Sequence, residues 1–128
     1  MTVQLNHTIV RCRNREESAA FMAEILGLPP PKPFSRFLIV ETANGVSLDH
    51  LATDEPIRPQ HYAFLVSEAE FDEIFARIKQ RGLTYWADPA RHQEGTINTW
   101  DGGRGLYFAD PSGHSLESLT RPYGSAQH

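Results

Sequence analysis

The sequence has a single cysteine, Cys12, in 128 residues, which excludes an intrachain disulfide and a thiol-based metal site. No apolar run approaches the roughly 18 residues that a membrane-spanning helix needs. The first residues lack the basic-then-apolar pattern of a signal segment. Lysine and arginine are scattered, and the net charge is −4. No basic stripe is therefore available to nucleic acid or an anionic membrane. These absences lead to the expectation of a cytoplasmic protein whose partners are small molecules, with no nucleic acid and no membrane. A hydrophobic content of 40% supports one packed core, and the length fits one domain, expected over 1–121. Residues 122–128 are polar and are expected to form a disordered tail.

A repeat is present. Residues 104–119 read RGLYFADPSGHSLESL, and residues 36–51 read RFLIVETANGVSLDHL. Sliding one onto the other aligns Arg36 with Arg104, Gly45 with Gly113, Ser47 with Ser115, and Leu48 with Leu116. Asp49 then falls on Glu117. Each segment has two apolar runs around a turn, Ala43-Asn44-Gly45 in the first and Asp110-Pro111-Ser112-Gly113 in the second. Both predict a hairpin.

The echo extends backwards. Asn6-His7-Thr8-Ile9-Val10 parallels Gln60-His61-Tyr62-Ala63-Phe64. Each is followed by a predicted helix. Asn14 with Glu17, and Ser67 with Glu70, have the spacing of capping boxes. Phe71, Ile74, Phe75 and Ile78 form an apolar stripe at helical spacing. The helices stop at Gly27 and at Arg81-Gly82. The chain thus divides into modules 3–54 and 57–120, joined by the proline-containing stretch 53–59. Leu28–Pro33, with four prolines, is expected to be a stiff extended connection. Strands are expected over 3–10, 37–42, 46–51 and 60–66, with a short one over 83–86.

Two histidines and two acids occupy equivalent places in the modules. A lone strand histidine is ordinarily a core or surface residue, and a lone strand acid ordinarily faces solvent. The doubling of both is not explained that way. If the modules pair about a pseudo-twofold axis, His7, His61, Asp49 and Glu117 can meet. Imidazole with carboxylate suits Zn, Ni, Co, Mn or Fe(II). His50, His92 and His114 have weaker claims: His50 neighbours Asp49 and faces the other way on a regular strand, His92 lies in the long loop, and His114 sits at the hairpin turn. From Gly82 to Glu117 the second module is longer than the first from Gly27 to Asp49, by residues that fall within 83–103. A loop over 88–103 is expected to be a mobile flap that sets substrate choice. Trp100, Tyr107, Arg104 and Asn98 are the candidate substrate contacts.

A βαβββ module written twice, with histidine on the first strand and an ending such as YFADPSGHSLE, resembles the vicinal oxygen chelate superfamily. That family contains glyoxalase I, extradiol dioxygenases, fosfomycin-resistance proteins and bleomycin-binding proteins. The resemblance runs from Leu5 to about Leu119. It implies an α+β, glyoxalase-like fold in which the two modules form curved mixed sheets around a central cavity. By it, His7, His61 and Glu117 match the common metal triad, and Asp49 the fourth position used by glyoxalase I. Glu117 and Asp49 are then the candidate catalytic carboxylates. The implied activity is that of a divalent-metal enzyme chelating neighbouring oxygens of a small substrate, with lyase or isomerase chemistry preferred. Fe(II) extradiol-type oxygenation and metal-free sequestration, as in bleomycin resistance, are the alternatives. A homodimer is expected, because each half is too small to close a cavity alone.

Overall fold

Alternation and capping shape both halves of the chain. The structure is a computed structural model that describes residues 2–126. It divides into two compact units, Met1–Arg58 and Pro59–His128. The fold is α+β, as the sequence implied: two four-stranded mixed sheets, each with one helix.

In the first unit β1 (His7–Cys12) leads into α1 (Arg15–Leu26). Asn14 caps α1 by accepting the Glu17 amide at 2.9 Å. Gly27 ends it in the left-handed conformation at φ 70°, which a Cβ would disfavour. Three strands follow, β2 (Lys32–Phe34), β3 (Phe37–Glu41) and β4 (Ser47–Ala52), in sheet order β1-β4-β3-β2. β4 runs parallel to β1, and the other pairs are antiparallel. One face of β1 contributes Val10 and Cys12 to a core with Met22, Ile25, Val40 and Leu48. The other face presents His7 and Ile9.

The stretch 28–33 is not wholly a connection. Its last two residues open β2, and Pro33 lies opposite Leu38. A proline lacks the amide a central strand would use, but an edge strand leaves one side of its backbone free. β2 is such an edge.

The second unit repeats the plan. β5 (His61–Leu65) precedes α2 (Glu68–Gln80), then β6 (Tyr85–Trp86), β7 (Gly105–Ala109) and β8 (Ser115–Leu119), in order β5-β8-β7-β6. Ser67 and Glu70 form a complete capping box: the Ser67 hydroxyl accepts the Glu70 amide, and the Glu70 carboxylate accepts the Ser67 amide. The α2 stripe buries Phe71, Ile74 and Ile78 with Leu106, Phe108 and Leu116. Truncating Phe71 to Ala would cost about 3–5 kcal/mol through lost burial and the cavity left behind.

Two expectations change. The stretch 88–103 is stitched to its surroundings rather than loose. Asp88 accepts the His92 and Gln93 amides, Ala87 N donates to Gln93 O, and Gly95 N donates to Tyr85 O. Asn98 and Gly105 exchange both backbone hydrogen bonds. The second change concerns the tail: residues 122–126 are folded into a turn and hydrogen bonded to Asp101, whereas 127 and 128 lie outside the described residues. No helix among the described residues is long and apolar enough to cross a membrane.

Candidate metal centre

The register of the parallel pairs places the doubled residues. His7 lies opposite Ser47 and Ile9 opposite Asp49, while His61 lies opposite Ser115 and Ala63 opposite Glu117. In each unit the acid is therefore two positions beyond the histidine's partner, on the same face of the sheet, because side chains alternate with period two.

In the second unit the pair closes. His61 Nε2 is 3.0 Å from Glu117 Oε1, and His61 Nδ1 is 3.1 Å from the Ser115 carbonyl oxygen. A carbonyl oxygen only accepts, so Nδ1 donates to it and Nε2 is the ring nitrogen turned to the carboxylate. At 3.0 Å the two are at hydrogen-bond distance, and imidazole nitrogen and carboxylate oxygen are also the donor types that a divalent ion takes. Glu117 is almost wholly buried and His61 half exposed, so the pair has one buried member and one open side.

Tyr107 lies opposite Glu117 on β7. Its ring stacks on His61 at 5.8 Å, and Trp100 meets Tyr107 edge-on at 6.3 Å. Burial pushes the Tyr107 hydroxyl well above its ordinary range, and the Glu117 charge and a hydrogen bond to Glu117 push it further. The phenol is thus held in its protonated, donating form. Tyr107 and Trp100, both read from the sequence as substrate contacts, stand beside the His61–Glu117 pair.

Arg104 and Asn98 are employed differently. Arg104 bonds Glu68 at 2.8 Å and Asp72 at 2.9 Å, with its guanidinium 4.5 Å from the centre of the Phe71 ring. It clamps the start of β7 to the first turn of α2. Asn98 is buried, donates to the Ala87 carbonyl at 2.8 Å and accepts the Trp100 amide at 3.2 Å. Its side chain fastens the loop that carries Trp100.

The first unit has the same residues in a different state. His7 Nδ1 donates to the Asn6 side-chain oxygen at 2.7 Å. Asp49 does not meet His7. It is one methylene shorter than Glu, and its Oδ1 accepts the Ser47 hydroxyl at 2.5 Å. Among the described residues no group of three or more His, Cys, Asp or Glu gathers as a metal cluster. The other histidines have local roles. His50 is fully buried with Nδ1 near the Leu38 and Leu48 carbonyls, His114 Nδ1 accepts the Gln60 amide, and His92 is exposed beside Asp88.

Neither the Ser115 carbonyl nor the Ser47 hydroxyl was anticipated from the sequence. The first has no side-chain signature. The second was visible as the Ser-x-acid spacing common to both hairpins.

Residues 4–118 match the model of the Glyoxalase/Bleomycin resistance protein/Dioxygenase superfamily. The chain is 61% identical to a solved structure named oxidase ChaP-H1, covering 96% of this chain and 99% of that one, with a TM-score of 0.95. It is 60% identical to oxidase ChaP-H2, covering 99% and 100%, with a TM-score of 0.96. A glutathione transferase FosA from Serratia marcescens is 28% identical over 91% of this chain and 80% of that protein.

Proposed function

Because this chain belongs to the Glyoxalase/Bleomycin resistance protein/Dioxygenase superfamily, we propose that it is a divalent-metal enzyme that oxidises a small molecule bearing neighbouring oxygens. The observation that carries this reading is His61 Nε2 facing the Glu117 carboxylate at 3.0 Å, two donor types that a divalent ion takes. In this reading His61, Glu117 and His7 hold the ion. Two histidines and one carboxylate with open positions suit Fe(II) best. When bound, the metal supplies Lewis acidity that draws in two substrate oxygens and offsets developing negative charge.

The chain's own groups do the rest. Ser115 and Asn6 fix the imidazole tautomers through Nδ1. Tyr107 donates to Glu117 and stays protonated. Its ring, with Trp100, forms an aromatic wall against which a planar substrate can lie. The partly exposed His61 edge leaves the approach open.

Oxidation is preferred over the lyase or isomerase chemistry favoured from sequence for two reasons. The relatives at about 60% identity carry the name oxidase. In addition, a four-ligand site needs Asp49, which is one methylene shorter than Glu and has its Oδ1 turned to the Ser47 hydroxyl rather than to His7. We further propose that the chain forms a homodimer. The exposed apolar residues Leu5, Ile9 and Phe34 of the first unit support an assembled state.

The test is to load protein purified without chelators with Fe(II), Mn(II), Zn(II) or Ni(II) and follow dioxygen uptake with catecholic probes. Uptake that depends on Fe(II) supports the reading, and turnover without dioxygen in any metal form counts against it. A monomer by light scattering removes the dimer.

A further inference from the structure

Asp101 lies at φ 58°, in a short 3₁₀ turn, Trp100–Gly102, followed by Gly103. Such a turn has poor internal hydrogen-bond geometry, and Gly102 within it and Gly103 after it add little stiffness. Yet it carries Trp100, the residue that packs on Tyr107. Something outside the turn must hold it.

Two independent features point to the same segment. The Asp101 carboxylate accepts the Gly124 amide through Oδ2 at 3.0 Å and the Ala126 amide through Oδ1 at 3.1 Å. Both oxygens are thus turned to one short stretch, whose own turn is closed by Ser125 N donating to Pro122 O at 3.0 Å. The chain leading to that stretch passes directly over Gly103. A Cβ placed at Gly103 would lie 2.5 Å from Arg121 Cγ and 2.6 Å from Thr120 Oγ1. The absence of a side chain at 103 is what lets residues 120 and 121 seat there.

We propose that residues 120–126 are a strap, seated on Gly103 and fastened by Asp101, that fixes Trp100 against Tyr107 as a rigid wall of the site. Asp101 is then a positioning residue that acts through Trp100. The importance of that wall rests on the function proposed above, but the strap itself is testable without any metal or substrate.

The experiment uses a Trp86→Phe background, which leaves Trp100 as the only tryptophan. Acrylamide quenching of Trp100 and amide exchange across 98–105 are compared in the full chain, in Asp101→Asn, in a chain ending at Arg121, and in the combination. Asparagine tolerates the left-handed backbone but turns one of the two acceptors into a donor facing an amide. Each single change should raise the quenching constant about twofold and speed exchange about tenfold, consistent with loss of a local restraint. The combination should do no more than either alone, because both remove the same contact. Unchanged quenching in the chain ending at Arg121 overturns the strap. So does a further loosening by Asp101→Asn in that chain, since Asp101 would then act without the tail. A Mn(II) titration of the same proteins tests the metal reading separately: absence of binding in the full chain removes that reading and leaves the strap standing.

Discussion

His61 and Glu117 meet at 3.0 Å, whereas His7 and Asp49, at the same register positions of the other sheet, do not. One methylene and one serine hydroxyl account for the difference. The repeat therefore supplies two equivalent scaffolds, of which one brings its histidine and its acid together. Glu117→Gln keeps the shape and removes the charge. We predict that it lowers Mn(II) or Fe(II) affinity by at least about 100-fold, above the range that loss of an outer partner brings. Calorimetric titration reads this directly. Asp49→Asn should leave affinity within about tenfold of the parent.

Tyr107→Phe removes one hydroxyl and keeps the ring on His61. The predicted result is a metal affinity or turnover lower by about 10- to 100-fold, the usual range for a hydrogen-bond partner of a ligand. Circular dichroism should be unchanged. An affinity and turnover equal to the parent would mean that the hydroxyl does not support Glu117.

Arg104 separates a structural role from a substrate-binding one. Arg104→Leu breaks its pairs with Glu68 and Asp72, so the melting temperature should fall by a few degrees. Exposed ion pairs are individually weak, but this one also lies over Phe71. Metal affinity should not change. A large rise in KM without loss of stability would return Arg104 to the substrate contacts.

The α2 capping box gives a pH prediction. Glu70 is held below the usual carboxylate range, first by the Ser67 amide and then by the Ser67 hydroxyl. Its folded pKa is depressed. The stabilisation is therefore present above the ordinary carboxylate pKa and is lost as pH falls through the folded value. Ser67→Ala should cost about 1 kcal/mol near neutrality. Denaturant melts across the acid range should find the gap between the two proteins narrowing as pH falls. A gap constant down to the lowest pH would refute the part of the coupling that runs through the Ser67 hydroxyl.

Much of this was legible in the sequence because the module is written twice. Periodicity located both helices, and the repeat paired His61 with Glu117 before any register was known. Other features had no local signal. Pro33 argued against a strand, and only its edge position in the sheet makes β2 possible. The polar composition of 122–126 argued for disorder, and Asp101, distant in sequence, supplies the partners that order it. Arg104 looked like a matched pair with Arg36, yet what Arg104 does is decided by two acids on α2, a helix whose counterpart in the first module has different residues. The loop over 88–103 looked loose because its hydrogen bonds come from backbone and from Asp88 and Asn98, which composition alone counts as polar filler.

Asn98 offers the decisive test of that loop. Its amide donates to the Ala87 carbonyl, its oxygen accepts the Trp100 amide, and its backbone exchanges two hydrogen bonds with Gly105. The side chain also leaves no room at residue 105, where a Cβ would lie 3.0 Å from Asn98 Oδ1. Asn98→Ala keeps the backbone pair and removes both side-chain bonds, leaving the Ala87 carbonyl without this donor in a buried setting. A buried polar group that loses its partner costs about 1–3 kcal/mol, and that is the expected loss of stability in urea. If the loop were an independent flap, the same substitution would change substrate handling and leave stability untouched. Loss of stability together with faster amide exchange at 98–105 is what the stitched loop requires. The opposite pattern would restore the mobile flap.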